Sequence, residues 1–576
     1  MRKYFPILQT LRSYKRKELP KDILGGFGVG IVLVPQGMAY AMIAGLPPVY
    51  GLYASLMPVL VYLLFGTSRS LAIGPVAMDS LLVAAGLGTL AIVGLENYIA
   101  LAILLAFMVG VIQFVLGIFK MGYLVTFLAK PVISGFTSAA AMIIIFSQLK
   151  HLLGVDIEGS NQFHRIFINA FQKIPETNFY DLAIGLVGIL LLIGFKRWSR
   201  HIPGILIIVV FGILAVYFLN MESLGIEIVG TIPKGLPGFV LPAIKIDNMI
   251  QLWPIALTLA LIGYLEAISI GKSIEEKNEE DLIDANQELV ALGSANMLGS
   301  FFQSYPVAAS FSRSAINDES GSKTTLSGLF TVLLVLVTLL FLTPLFYFLP
   351  NAILASIIMV SVSGLIDLKY AKRLWIYRKD EFIVLTLTFL ITLFIGITQG
   401  ILTGVLLSLL LMVYRTSKPH FAVLSKIKDS EYYKNISRFE DEVILRNDLL
   451  IVRFDSQLYF GNSDYFRNQL YKYMDKKGDN LKGVILNAEA INYIDSTATR
   501  MLTKVIKKIR QDGIQFYIAG AIGPTRDIIF RSGISEVLPR EFLFVKIKEA
   551  VAYFDDPENA SVSHEKVAYQ RNEPRN

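Results

Sequence analysis

Mostly apolar stretches of about 20 residues, each long enough to cross a bilayer as a helix, recur from Asp22 to Arg415 of this 576-residue chain and restrict its fold more than any other feature. The clearest lie near 23–45, 47–66, 97–118, 123–147, 180–195, 203–219, 250–271, 324–349, 351–368, 381–397 and 399–414. Shorter or interrupted ones lie near 70–92, 286–304 and 306–318, which makes fourteen candidate spans. Charge follows the same division. Residues 23–149 hold five charged side chains, Arg69, Asp79, Glu96, Lys120 and Lys130, whereas residues 440–555 hold 33. Lipid is the implied solvent of the first region and water that of the second. The first stretch starts after twenty polar residues and has no small-residue cleavage site behind it, so it reads as a span and not as a cleaved signal.

The chain is 54% hydrophobic and 17% charged, against about 25% charged in ordinary soluble domains, which argues against a soluble enzyme. It has no cysteine, which excludes disulfides, iron–sulfur clusters and cysteine nucleophiles, and five scattered histidines leave little for a metal site. No cofactor is expected. The net charge of +7 is spread over loops and tails and does not form a nucleic-acid footprint. Lysine and arginine in short loops set orientation. The basic tail of residues 1–21 is expected in the cytoplasm. Lys196-Arg197-Arg200, Lys369–Lys379 and Arg415-Lys418 follow the sixth, twelfth and fourteenth stretches, which places them and the carboxyl terminus on the same side.

Gly74-Pro75-Val76-Ala77 and Tyr305-Pro306-Val307-Ala308 open two of the interrupted stretches, 231 residues apart. The shared Pro-Val-Ala suggests a duplicated unit. Seven spans before residue 220 and seven after make an odd-numbered repeat, so the copies must lie inverted, and inverted repeats with broken helices mark secondary transporters.

Polar groups at bilayer depth cost at least ~2.5 kcal/mol per charge and need a partner or a wet cavity. Glu266 stands inside IALTLALIGYLEAISIGKS, with Ser269 and Ser273 on its helical face, and is the candidate carrier of a proton or sodium ion. Arg313 stands in SYPVAASFSRSAIN, where Pro306 and small residues suit a break followed by a helix start, with Ser310 and Ser312 as candidate caps. Free N–H groups of such a start, together with Arg313, make an anion site. Val76 and Ala77 offer a second start. Gln36 follows Pro35 in the first span with Tyr40 one turn on, adding an uncharged donor. Asp79 is out of place beside an anion and is expected to cap its helix or face away.

From about residue 440 strands alternate with helices: VILR, LLIVRF, KGVILNA and IQFYIAG read as strands, and NSDYFRNQLYKYM and DSTATRMLTKVIKKIR as helices. This is an α/β domain with one main sheet. It carries neither a phosphate-binding loop nor a triad. Asp495-Ser496 reads as a helix cap. Residues 419–439 are expected to be a linker, 440–556 the domain, and 557–576 a disordered tail.

VPQGMAYAMIAGLPPVYGLYASL at 34–56, GTSRSLAIGPVA at 66–77, YLEAISIGKS at 264–273 and ASFSRSAIN at 309–317 resemble the signatures of the SulP sulfate permease and anion transporter family. Residues 440–555 resemble its STAS domain. The resemblance implies a membrane all-α transport domain over 22–418, with fourteen segments in two inverted seven-helix repeats forming core and gate domains, and an elevator-like alternating-access mechanism. It implies a substrate site made by Gln36, Tyr40, Val76, Ala77, Ser310, Phe311, Ser312 and Arg313, with Glu266 at the coupling position. It also implies a homodimer in the plasma (inner) membrane, and a small inorganic anion as substrate, with proton-coupled sulfate uptake the first expectation. Bicarbonate, chloride or dicarboxylate transport, a channel or voltage-responsive motor, and a nucleobase–cation symporter of related fold are the alternatives. Asp79 has no counterpart in the family pattern as quoted.

Overall fold

A computed structural model describes residues 5–564 apart from 89, 91, 93, 124–128, 158–162, 199–203, 279–282 and 440. The chain divides into two compact units, Met1–Ser408 and Leu409–Asn576.

Each of the fourteen expected stretches contains a helix. They are α1 Leu19–Ile43, α2 Pro48–Phe65, α3 Ala77–Leu87, α4 Leu95–Ile118, α5 Lys130–Leu153, α6 Phe179–Trp198 and α7 Gly204–Phe218. The second set is α8 Ile246–Asn278, α9 Ala285–Ser300, α10 Phe311–Glu319, α11 Ser327–Phe346, α12 Asn351–Ser363, α13 Lys379–Phe394 and α14 Ile397–Ser417. At 1.5 Å per residue α3 and α10 reach only about 15 Å, half of a hydrocarbon core. Both are preceded by extended backbone, and these two extensions pair with each other: β1 Ile73–Gly74 runs antiparallel to β2 Ala308–Ala309, with Ile73 opposite Ala309 and Gly74 opposite Ala308.

The helices sort into two packing groups. In one, α1 packs on α2, α10 and α11, α4 on α8 and α9, α2 on α9 and α11, and α3 on α8. In the other, α5 packs on α12 and α13, and α6 on α7 and α12. Contacts of α1 with α7 and α12, and of α3 with α5, join the groups. A shift of seven helices maps α1–α11 onto α8–α4, α1–α10 onto α8–α3, α4–α9 onto α11–α2, and α5–α13 onto α12–α6. Every one of these pairs is a packed contact. Successive spans alternate in direction, so a seven-span shift inverts the copy. This is the core-and-gate arrangement of two inverted repeats. Small residues permit the tightest crossings: a side chain at Gly293 would press into the backbone of Phe114 on α4, and one at Gly110 into that of Met297 on α9.

The repeat corrects one detail of the sequence reading. With the helix starts aligned, Val76 matches Ser310, so Pro75 matches Ala309 and not Pro306. The duplication is present in the packing, while the shared Pro-Val-Ala lies three residues out of register and is not its trace.

The second unit is built on one seven-stranded sheet. Its strands are β3 Phe421–Ile427, β4 Tyr433–Asn435, β5 Val443–Ile444, β6 Leu449–Phe454, β7 Gly483–Asn487, β8 Gln515–Ala519 and β9 Leu543–Phe544, in the order β4-β3-β6-β7-β8-β9 with β5 also on β3. β6 to β9 are parallel and β3 is antiparallel to β6. Helix α15 Ser463–Lys477, α16 Ser496–Gln511, α17 Gly523–Arg531 and α18 Ile547–Asp555 connect and cover them. Helix α16 buries Ala498, Met501, Leu502, Val505, Ile506 and Ile509, one stripe at helical spacing. The Asp495 carboxylate accepts from Ala498 N at 2.7 Å, the cap that the sequence suggests. The stretch expected to be a linker, 419–439, carries β3 and β4, because Phe421, Ala422 and Leu424 add apolar side chains to the sheet. Of the expected tail, Ser563 O accepts from Val545 N at 3.1 Å and His564 bridges Phe544, so the chain follows the sheet that far. Residues 565–576 lie outside the described ones.

Candidate functional site between two half-helices

The site begins with what the β1–β2 ladder does to the backbone. Antiparallel strands lead into helices that depart in opposite directions, so α3 and α10 both aim their amino termini back at the ladder. Val76 precedes α3 in an extended conformation and has no side-chain oxygen with which to cap it. Ser310 holds the equivalent position before α10, with its N–H bonded to Ala72 O at 3.0 Å. Its hydroxyl makes no cap bond either and instead meets Ser312 Oγ at 3.3 Å. The first-turn N–H groups of both helices therefore stay available, each helix end carrying about half a positive charge.

Arg313 lies in the first turn of α10 and is 0% exposed. Nη1 donates to Gln36 Oε1 at a long 3.4 Å, and Nε and Nη2 have no acceptor among the described residues. Among the described residues it makes no ion pair, which rules out the pairing with Glu266 that would make it structural. A buried guanidinium without a counter-charge costs several kcal/mol. Gly74 shows how closely Arg313 packs under the ladder. Its φ of +146° favours glycine, and a Cβ there would stand 3.2 Å from Leu33 Cδ1 and 3.4 Å from Arg313 Nη2.

The remaining expected residues surround this point unequally. Gln36 and Tyr40 are buried on α1, Gln36 directly after the in-helix Pro35. Ala77 is buried and Val76 half-buried. Phe311 and Ser312 are exposed, Phe311 at 63%, so they stand at the open side of α10 while Arg313 lies beneath. Glu266 is half-buried on α8, its Oε2 atom enclosed and without a hydrogen-bond partner. Ser269 is exposed, so it does not share the surroundings of Glu266, and the Ser273 side chain lies outside the described ones. Asp79 neither caps α3 nor faces away. It is 2% exposed, Oδ1 is unpartnered, and Oδ2 lies 3.5 Å from where a Cβ on Gly263 of α8 would stand.

Several supports were not singled out from the sequence. Asn296 of α9 clamps the approach to β2 from both sides, its Oδ1 accepting from Val307 N at 2.8 Å and its Nδ2 donating to Val307 O at 3.0 Å. Gln113 of α4 accepts from Asn296 at 3.1 Å and donates to Ala260 O at 3.1 Å. Tyr305 OH and Ser80 Oγ meet at 3.2 Å across the two repeats. Ser314 Oγ accepts from Ala72 N at 2.9 Å, tying α10 to the first repeat. Glu288 of α9 is fully used as a brace, taking bonds from Thr67 N and Oγ1, Ser68 N and Tyr62 OH at 2.5–3.1 Å. The signal was present: an amide or carboxylate inside an apolar helix, the rule that picked out Gln36 and Glu266.

Two inverted repeats meeting through a pair of half-helix tips, with a buried unpaired arginine between them, define a helical membrane transporter and not an enzyme. Comparison with known proteins gives the family. Residues 19–388 match the sulfate permease family and residues 441–552 the STAS domain. The chain belongs to the sulfate permease family. It is 39% identical over 572 residues to sulfate transporter 4.1, chloroplastic, of Arabidopsis thaliana, covering 95% of this chain and 82% of that one. Probable sulfate transporter 4.2 of the same plant is 37% identical over 568 residues, covering 95% and 83%. The structure of the murine solute carrier 26 family member A9 anion transporter, inward-facing, superimposes with a TM-score of 0.87 at 27% identity over 96% of this chain and 94% of that one.

Proposed function

We propose that this protein takes up a small inorganic anion, sulfate first among them, together with protons. The observation that carries the reading is the fully buried Arg313 in the first turn of α10, with two donors unmatched among the described residues, packed under the ladder that joins the starts of α3 and α10. The anion sits at the ladder. It accepts from the first-turn N–H groups of Ala77 and Arg313 and from the Arg313 fork, with Gln36, Tyr40, Ser310 and Ser312 around it, Val76 giving backbone room, and Phe311 at its mouth. The names of the Arabidopsis relatives support sulfate. A nucleobase is neutral and would leave the arginine uncompensated.

Energetics call for a coupled ion. Moving one charge through 100 mV is worth ~2.3 kcal/mol, so a dianion entering a negative interior faces ~4.6 kcal/mol. Glu266, half-buried with one free oxygen, carries the proton. The two packing groups supply the movement: the group with α1–α4 and α8–α11 holds the anion and slides against the group with α5–α7 and α12–α14. The protein works as a homodimer in the plasma (inner) membrane with both termini in the cytoplasm.

Proteoliposomes offered labelled sulfate, bicarbonate, chloride, fumarate and uracil, with and without an inward proton gradient, test this. Gradient-stimulated sulfate uptake is expected. Uracil uptake without anion uptake, or gradient-independent chloride current, would overturn it.

A further inference from the structure

Asp79 is a buried charge that the reading above leaves without a task. It is enclosed in the first turn of α3, one side-chain oxygen has no partner, and the other lies against α8 at Gly263, one helical turn from Glu266. One carboxylate from each repeat thus lies at the α3–α8 contact, Glu266 half-buried and Asp79 fully enclosed.

The other groups around the pair do not neutralise it. α1 contributes Tyr40 and Gln36, and α4 contributes Gln113, whose amide is already bonded to Ala260 O and Asn296. Tyr305 is engaged with α3 through Ser80 Oγ, 3.2 Å from its hydroxyl. Glu288 on α9 is taken up by four donors. α5 has Lys130, Lys150 and His151, at its two ends. Arg313 is the cation of this region, and among the described residues it is ion-paired to neither carboxylate.

We infer that Asp79 is a second proton carrier, paired with Glu266 across the α3–α8 contact, so that two protons accompany each dianion. The inference rests on the proton-coupled reading and deepens it. Each carboxylate binds one proton from the outer solution as the anion enters and gives it up inside. The anion brings two negative charges and the protons two positive ones, so the charge carried by the mobile group is the same loaded and empty. A carboxylate at position 79 beside an anion site is then explained: protonated, it no longer repels the anion.

The ratio is measurable. With the membrane potential clamped at zero and a gradient of about one pH unit, two protons per sulfate support about 100-fold accumulation and one proton about 10-fold. Wild type is expected to approach the first limit and Asp79→Asn the second, with sulfate–sulfate exchange reduced yet measurable, and Asp79→Glu restoring the steeper dependence. Asp79→Asn accumulating as wild type does would overturn the inference and leave proton coupling standing. Wild type with no response to the gradient would overturn the coupling itself. A measurement free of any variant is proton uptake by purified wild type on sulfate addition in weak buffer with an indicator dye. Two protons per sulfate bound support the pair, and one overturns it.

Discussion

Replacing Arg313 by methionine separates binding from folding, because the two effects have opposite signs. In the unliganded protein the guanidinium is fully buried, with Nε and Nη2 unpartnered and a single long bond to Gln36. Methionine fills much of the same volume without the desolvation cost, so the unliganded variant should be no less stable than wild type. With an anion bound, the fork supplies two charge-assisted bonds. Truncating one side of such a buried pair costs about 2–4 kcal/mol, a ~30- to 1,000-fold loss of affinity. Thermal unfolding in detergent reads both. Sulfate at a hundred times the wild-type Kd should stabilise wild type by about 2.7 kcal/mol, and a variant with a hundredfold weaker Kd by about 0.4 kcal/mol. Arg313→Lys keeps the charge, loses the planar fork, and should fall between. A methionine variant that binds sulfate as wild type does, or whose unliganded form melts many degrees lower, would refute the reasoning and make Arg313 a structural residue.

Glu266→Gln should lower gradient-driven accumulation at least to the one-proton limit while leaving part of the sulfate–sulfate exchange, and an unchanged pH dependence of uptake in that variant would remove Glu266 from the coupling. Gly74→Ala places a Cβ on a residue at φ +146° within 3.4 Å of Arg313 Nη2, and should cost about 1–3 kcal/mol in thermal stability and weaken anion binding; a variant with the wild-type melting temperature and affinity contradicts the packing. In the sheet domain, the Arg446 guanidinium 2.6 Å from Asp448 holds that carboxyl below the ordinary carboxylate range. Its contribution is present above that range and fades as pH falls through the lowered value. Asp448 is partly exposed, so Asp448→Asn should lose no more than about 1 kcal/mol at neutral pH and converge with wild type once pH has fallen through the lowered value, as unfolding across pH would show.

Much of the site was legible because lipid makes polar residues conspicuous. Gln36, Glu266 and Arg313 stand out in apolar runs, and the structure buries Gln36 and Arg313 together. Asn296 and Glu288 obey the same rule and were passed over, since each lies in a run with small or polar neighbours that lowers its contrast; Gln113 stands in a fully apolar run and was legible by the same rule. Ser310 and Ser312 read as caps from spacing, yet their hydroxyls turn to each other, a choice of rotamer that no pattern encodes. The strands at 421–427 and 433–435 looked like a linker because a strand at the edge of a sheet is told from an extended loop only by its partner.

The sequence by itself determined the two solvents, the fourteen helices and the two breaks, because hydrophobic length and backbone interruption are local properties. The tertiary structure decided which interruptions meet. The β1–β2 ladder joins residues 234 and 236 positions apart, and it brings an arginine together with two half-helix ends. It also set Asp79 against α8. Register between distant segments depends on the packing of whole helices, and a short repeated tripeptide pointed to the duplication while misplacing its alignment by three residues.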